Sequence, residues 1–114
     1  MNSVCIIGRV TRDPEVRETN TGIKVAVTSV ALDGANDTVS FIPVVCYGGS
    51  ADIMSKYVRK GHLVGVSGRL NQRTYKNGEG ENKSVIEVIC DNLQLCEKKP
   101  AEKSDEKPKK SKKN

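Results

Sequence analysis

The chain contains very few aromatic residues. It has no tryptophan, one phenylalanine and three tyrosines among 114 residues. All four rings, Phe41, Tyr47, Tyr57 and Tyr75, lie in one stretch, so both ends of the chain must pack without them. Exposed rings beside cations can stack on nucleobases, whereas inward rings only fill a core. The direction of these four side chains therefore decides between two classes of function.

Other absences exclude further classes. The four cysteines lack the short spacing of a zinc site, and His62 is the single histidine, so we expect no metal and no cofactor. No phosphate-binding glycine loop, nucleophile elbow or metal triad is present, which predicts that the protein is not an enzyme. The N-terminus has neither a charged leader nor a long apolar run. We therefore expect a soluble, cytoplasmic protein with reduced cysteines.

The positive charge is unevenly distributed. Residues 97–114 contain eight lysines and four acidic residues, whereas residues 1–96 contain eleven basic and ten acidic residues. The last segment also has no large apolar residue, so it cannot bury enough surface to offset the entropy of ordering. The sequence predicts one domain over residues 1–96 and a disordered, lysine-rich tail over residues 97–114. A nearly neutral domain can still bind a polyanion if its cations share one surface.

Short β-branched runs separated by turn residues predict strands. The five predicted strands cover residues 3–11, 23–32, 38–47, 62–75 and 83–96. The Asn77-Gly78 step indicates a hairpin between the last two strands. Five strands with one helix between the third and fourth match the small Greek-key barrel called the OB-fold. We therefore predict an all-β, five-stranded OB-fold barrel.

Between Gly48 and Gly61 the apolar spacing becomes helical. Ser50 is the predicted N-cap and Gly61 the predicted C-terminal stop. Tyr57 follows Ile53 at helical spacing, which predicts that its ring packs against the barrel.

Alternation along the strands separates two faces. In the third predicted strand Ile42, Val44 and Cys46 form the better core face, which leaves Phe41 and Tyr47 on the other. In the fourth predicted strand Val64, Val66, Gly68 and Leu70 alternate with a polar face that carries Arg69, Arg73 and Tyr75. Rings and cations thus share a face, although the two tyrosines could also pack on neighbouring strands with only their hydroxyls in water. Pro43 cannot donate to a ladder, so its nitrogen should point out of it.

Three collinear segments carry a family resemblance: VCIIGRVTRDPEVRETNTGIKVA, then FIPVVCYGGSADIMSKYVRKGHLVGVSGRLNQRTY, then SVIEVICDNLQL. Together they resemble the bacterial and phage single-stranded DNA-binding proteins over about residues 1–96. The resemblance implies sequence-independent binding and protection of single-stranded DNA in replication, recombination and repair, by an OB-fold subunit that forms a homotetramer at the nucleoid. It implies base stacking at Phe41, Tyr47 and Tyr75, and phosphate contacts at Arg17, Lys60 and Arg73. Strand position and charge add Arg9, Arg69 and Lys76.

The chain also departs from the family pattern. Tyrosine and phenylalanine stand where relatives often use tryptophan, and the hairpin LDGANDTVS is short and lacks lysine, so we expect a shallow salt dependence of binding. The printed sequence ends in KPKKSKKN, which makes the family's recruitment of partners through an acidic tip doubtful. The alternatives are an OB-fold replication-restart adaptor, which acts mainly through protein contacts, and an RNA-binding OB or cold-shock protein.

Overall fold

The computed structural model describes residues 1–96 as six strands, one α-helix and one short 3₁₀ turn. The strands are β1 (Val4–Val10), β2 (Glu15–Glu18), β3 (Lys24–Asp33), β4 (Val39–Tyr47), β5 (Leu63–Lys76) and β6 (Asn82–Leu95). The helix α1 (Gly49–Tyr57) connects β4 to β5, and the 3₁₀ turn Ala35–Asp37 connects β3 to β4. The predicted basic tail lies outside the described residues.

Five of the strands close into a barrel. The order β1-β5-β6-β4-β3 returns to β1 through the pairs Arg9 with Ala31 and Val10 with Val30. The β4–β6 contact is parallel, and the other pairings are antiparallel. This closure confirms the predicted five-stranded OB-fold barrel with one helix between its third and fourth strands.

The short strand β2 was not predicted. It adds to β3 outside the barrel, through pairs from Glu15 with Val27 to Glu18 with Lys24. Its four residues are all exposed and only Val16 is apolar, so the sequence has no alternating pattern to reveal a strand. Backbone pairing with β3, rather than burial, holds it in place, and it brings Arg17 to the barrel surface.

The core consists mainly of β-branched and small side chains. Its members include Val10, Ala26, Val30, Val44, Cys46, Met54, Val58, Val64, Val66, Val88 and Leu93. No aromatic ring belongs to this cluster, so aliphatic burial provides its stability. The buried Thr28 hydroxyl donates to the Arg12 carbonyl at 2.8 Å, which satisfies that polar group within the core. No helix formed by residues 1–96 is long and apolar enough to cross a membrane.

The helix α1 covers the barrel with a different face from the one predicted. Ala51, Met54 and Val58 are buried, whereas Ile53 is exposed and Tyr57 is 43 % exposed. The core prediction for Tyr57 is wrong because the residues at positions 51, 54 and 58 already form the inward stripe. The predicted Ser50 cap is also wrong. Gly48, at φ 61°, precedes the helix, and no side chain caps its first turn.

The position of Pro43 confirms the strand register. The Gly48 N–H donates to the Lys24 carbonyl at 2.9 Å, and bonded pairs alternate along an antiparallel ladder. The pair Ser29 with Pro43 therefore falls at a non-bonded position. Pairing of β4 with β6 begins only at Val44, so the Pro43 nitrogen lies outside both ladders, as predicted.

The ends of β5 and β6 extend beyond the barrel as a hairpin. Every residue of β5 from Arg69 to Lys76 is exposed. Leu70, which alternates with the polar face as Val64 and Val66 do, is exposed because no other layer within residues 1–96 covers this part of the hairpin. At its tip the Asn77 side chain accepts from the N–H groups of Glu79 and Glu81, which fixes the turn. Within the barrel, a Cβ on Gly68 would lie 1.9 Å from the Ile89 carbonyl oxygen, so only glycine allows this approach.

Candidate nucleic-acid interface

A groove of about 270 Å³ crosses the outer face of the sheet. It is lined by Arg17, Thr19, Val25, Val27, Val45, Tyr47, Arg73 and Glu87. Three of these, Arg17, Tyr47 and Arg73, are predicted site residues from three different strands. The fold therefore brings together one ring and two guanidinium groups that are separated in the sequence.

Strand register explains the centre of this groove. Val25 pairs with Arg17 on one side and with Tyr47 on the other, so the three side chains lie across adjacent strands. Beneath the groove, Val25, Val45 and Ile89 form a small buried cluster on the outer face of the sheet. These aliphatic side chains form a dry floor and leave the ring of Tyr47, which is 46 % exposed, at the rim.

The second part of the site lies on the β5–β6 hairpin. The Arg73 guanidinium carbon is 5.6 Å from the centroid of the Tyr75 ring, within the range of a cation–π contact. Tyr75 is 45 % exposed, which confirms the predicted exposure of its side chain. Lys76 follows it at the end of β5, where it pairs with Asn82. A ring and two cations therefore occupy the outer end of the hairpin.

Phe41 lies on the same strand as Tyr47 but outside the groove. It is 65 % exposed, so its predicted outward direction is confirmed. Tyr47 is six positions after Phe41 along β4, which corresponds to about 20 Å at the rise of a strand. Ala31 pairs with both Arg9 and Phe41, so this cation and this ring lie on one row across three strands. The site thus has two separate groups of rings and cations.

The remaining predicted cations are placed differently. The Arg69 guanidinium forms an ion pair with Asp91 at 2.9 Å. Lys60 lies in the turn after α1, where its backbone N–H donates to an Asp13 carboxylate oxygen at 2.9 Å. The Arg9 guanidinium donates to the Gly61 carbonyl in that same turn at 3.1 Å. Arg9 and Lys60 are therefore close to each other, but neither lines the groove.

Sequence reasoning missed an acidic residue in the groove. Glu87 is only 4 % exposed, and its two carboxylate oxygens lie 3.4 Å from the Arg73 guanidinium and the Asn71 amide. The signal was present, since a glutamate interrupts the apolar run SVIEVIC at the position that pairs with Asn71. Thr19 was missed because it follows the unpredicted strand β2.

A second ion-pair cluster lies behind the groove. Asp52 accepts from Lys24 at 2.9 Å and from Lys56 at 3.1 Å. Hydrogen bonds from Lys24 and then Lys56 hold the pKa of the Asp52 carboxyl below its usual value. Lys24 directly precedes the groove residue Val25 in β3. Because successive side chains of a strand point to opposite faces, the Lys24 charge is directed toward α1 and away from the groove.

The cysteines show no site of their own. Cys46 and Cys90 pair across β4 and β6 and are buried as free thiols, whereas Cys5 and Cys96 are exposed. The hydrogen bond to Cys90, together with burial, raises the pKa of the Cys46 thiol, so it stays protonated. Within residues 1–96 no three histidine, cysteine or acidic side chains come together in a way that could bind a metal ion.

A second cleft, of about 280 Å³, lies on the outer face of β1, β5 and β6. It is lined by Cys5, Ile6, Ile7, Gly65, Val66, Ser67, Asn92, Gln94 and Cys96. None of these residues is charged or aromatic. The cleft therefore lacks the chemistry that the groove offers to a polyanion.

Comparisons with known proteins agree with this geometry. The single-strand binding protein family matches residues 1–96. Among curated relatives, single-stranded DNA-binding protein 1 of Staphylococcus aureus (strain COL) is 38 % identical over 110 residues, which cover 91 % of this chain and 66 % of the relative. The single-stranded DNA-binding protein of Enterococcus faecalis is 37 % identical over 107 residues, or 89 % of this chain and 57 % of the relative. The chain thus spans slightly less than two thirds of the length of the Staphylococcus aureus relative.

A solved structure described as the Plasmodium falciparum SSB complex with ssDNA superposes with a TM-score of 0.76. It is 28 % identical to this chain, and the superposition covers 85 % of this chain and 96 % of that one. The barrel order, the exposed rings beside arginines and these four similarities lead to one assignment. The chain belongs to the single-strand binding protein family.

Proposed function

We propose that this protein binds single-stranded DNA without sequence preference and protects it during replication, recombination and repair. The observation that supports this most directly is the groove that Tyr47, Arg17 and Arg73 line together. Single-strand binders combine a cationic groove along the backbone with rings on which successive bases stack. The assigned family and the names of its relatives support the same function.

Each part of the site has a separate task in this proposal. Bases stack on Tyr47, Tyr75 and Phe41, and such stacking is worth about 1–3 kcal/mol per base. Arg17 and Arg73 contact phosphates at the groove, while Arg9 and Lys60 do so near Phe41. The paired Arg69 and the hairpin-end Lys76 add weaker contacts. The aliphatic floor of Val25, Val45 and Ile89 gives the bases an apolar surface and offers no side-chain hydrogen bond that would favour one base over another.

We propose further that residues 1–96 are the binding domain, that they act without catalysis or a cofactor, and that the subunits form a homotetramer at the nucleoid in the cytoplasm. Residues 4–8 of β1 pair with β5 on one side and with no other described strand on the opposite side. This free edge lies beside the uncharged second cleft, which leaves an apolar surface for another subunit. The lysine-rich segment after residue 96 would add salt-sensitive attraction to phosphates.

The test is a titration of the full chain with mixed-sequence oligonucleotides, followed by tyrosine fluorescence and light scattering. We expect saturable quenching with single strands, little with duplex, and a mass of four subunits. A folded protein that binds no single strand at low salt would overturn the proposal and leave the adaptor alternative. Equal affinity for duplex would exclude base stacking as the main contact.

A further inference from the structure

Glu87 is the one acidic side chain that is buried within residues 1–96, and it lies in the groove that we propose for a polyanion. A negative charge there repels phosphates, and burying it without full compensation costs free energy. Its exposed fraction of 4 % means that water cannot screen it as it would a surface residue. The position of Glu87 therefore requires an interaction that offsets the cost of burying its charge.

The contacts of Glu87 suggest that reason. Oε1 lies 3.4 Å from Nη2 of Arg73, and Oε2 lies 3.4 Å from the amide nitrogen of Asn71. Arg73 in turn has its guanidinium near the ring of Tyr75. The carboxylate and the ring thus constrain the end of a long side chain that is otherwise half exposed. One ion pair uses at most two of the five donors of a guanidinium, so others remain for a ligand.

A second acid–arginine pair on the same hairpin gives a natural contrast. Asp91 pairs with Arg69 at the shorter distance of 2.9 Å, but both side chains are more than half exposed. Exposed pairs of this kind contribute little order, and their anion competes with phosphate for the arginine. Asp91 therefore competes with DNA for Arg69, whereas the Glu87 carboxylate is buried and has one oxygen 3.4 Å from Arg73 and the other 3.4 Å from Asn71.

We propose that Glu87 is a positioning residue, which holds the Arg73 guanidinium beside Tyr75 in the orientation that a nucleotide requires. This inference rests on the proposed function. Preorganising the arginine lowers the entropy lost when DNA binds, since a rotamer-rich side chain is already ordered. The acid thus increases affinity for a polyanion despite its charge.

The test compares Glu87→Gln with Asp91→Asn in the full chain, by titration with a single-stranded oligonucleotide. Both substitutions remove one negative charge and keep the side-chain shape. We expect Glu87→Gln to weaken binding by about three- to tenfold, the effect of losing one hydrogen-bonded contact. We expect Asp91→Asn to leave binding unchanged or to strengthen it, because Arg69 is released for phosphate.

A double-mutant cycle separates positioning from folding. In an Arg73→Ala background, Glu87→Gln should cause no further loss, because the residue that it positions is gone. If Glu87→Gln binds as tightly as the wild type or more tightly, the carboxylate only repels DNA and the inference is overturned. An equal loss in both backgrounds would also overturn it. Absence of binding by the wild type itself would instead overturn the proposed function.

A measurement on the wild-type protein tests the inference without depending on whether a variant folds. In the ¹⁵N-labelled full chain without DNA, we expect the Arg73 guanidinium to rotate slowly about its Nε–Cζ bond. Free rotation, comparable to that in the urea-unfolded chain, would show that Glu87 does not hold it and would overturn the inference.

Discussion

The groove and the second cleft have nearly the same volume, about 270 and 280 Å³, yet their chemistry differs completely. The groove contains two arginines, a buried carboxylate and a tyrosine, whereas the second cleft contains no charged or aromatic residue. Concavity alone therefore does not mark the proposed nucleic-acid interface of this barrel. The arrangement of rings and cations along its rim does.

The same two strands contribute to both surfaces. At Gly65 and Ser67, β5 contributes small residues to the second cleft, and six residues after Ser67 the same strand presents Arg73 to the groove. The register shift between Ser67 and Gly68 separates these two parts of the strand. A bulge re-aims side chains and increases twist, so one long strand can serve two different surfaces.

The largest difference in DNA affinity between variants of the two surfaces should follow removal of the Tyr47 ring from the groove. We expect Tyr47→Ala to lose about 1–3 kcal/mol of binding free energy, because one stacking platform disappears. Gln94→Ala in the second cleft is the matched control and should leave affinity per subunit unchanged. Both are measured by anisotropy with a labelled oligonucleotide, alongside thermal unfolding. Equal losses in the two variants would remove the distinction between the surfaces.

Sequence reasoning could place Tyr47 before the structure because period-two alternation is a local property of β4. The outward directions of Phe41 and Tyr75 followed from the same alternation, and the succession of five strands with one helix indicated the OB-fold, but the order of the strands in the sheet was not predicted. The role of Glu87 could not be assigned in this way, since it depends on a partner strand and on a groove to which all strands from β2 to β6 contribute. The prediction for Tyr57 was wrong because the local pattern was ambiguous. A short helix offers two plausible apolar stripes, and only packing against the barrel shows that Met54 and Val58 form the inner one.

The next effect concerns charge in the groove. We expect Arg17→Ala to reduce the logarithmic salt slope of binding by about 0.7, the value for one phosphate contact on a single strand. Arg69→Ala is the matched control on the same outer surface, and its slope should change less, because Asp91 already neutralises that arginine. Titrations at four salt concentrations give both slopes. A larger change for Arg69→Ala would show that phosphates follow the hairpin rather than the groove.

A substitution in the second cleft should change the assembly of subunits rather than the binding of DNA. Ile7 is exposed there, and Ile7→Arg would bring like charges together at a symmetric subunit contact. We expect the dissociation constant of that contact to rise by about tenfold or more, with quenching by a short oligonucleotide retained. Light scattering measures the mass, and Ile23→Arg, an exposed position outside the cleft, should leave it unchanged. An unaltered mass for Ile7→Arg would place the subunit contact elsewhere.

The smallest expected effect concerns Lys24, a cation that does not line the groove. Lys24 and Lys56 lower the pKa of Asp52, so the folded state binds this proton less readily than the unfolded state. The resulting stabilisation is fully present above the unfolded-state pKa of an aspartate, about 3.9, and is lost as pH falls through the lowered folded-state value. The melting temperature of the wild type should therefore exceed that of Asp52→Asn by a small margin at neutral pH. This margin should shrink below pH 4 on the same scans. The released Lys24 should also strengthen DNA binding slightly in the variant at low salt. If the margin instead grew as the pH fell, the ion pairs of Asp52 with Lys24 and Lys56 would not be the source of the stabilisation.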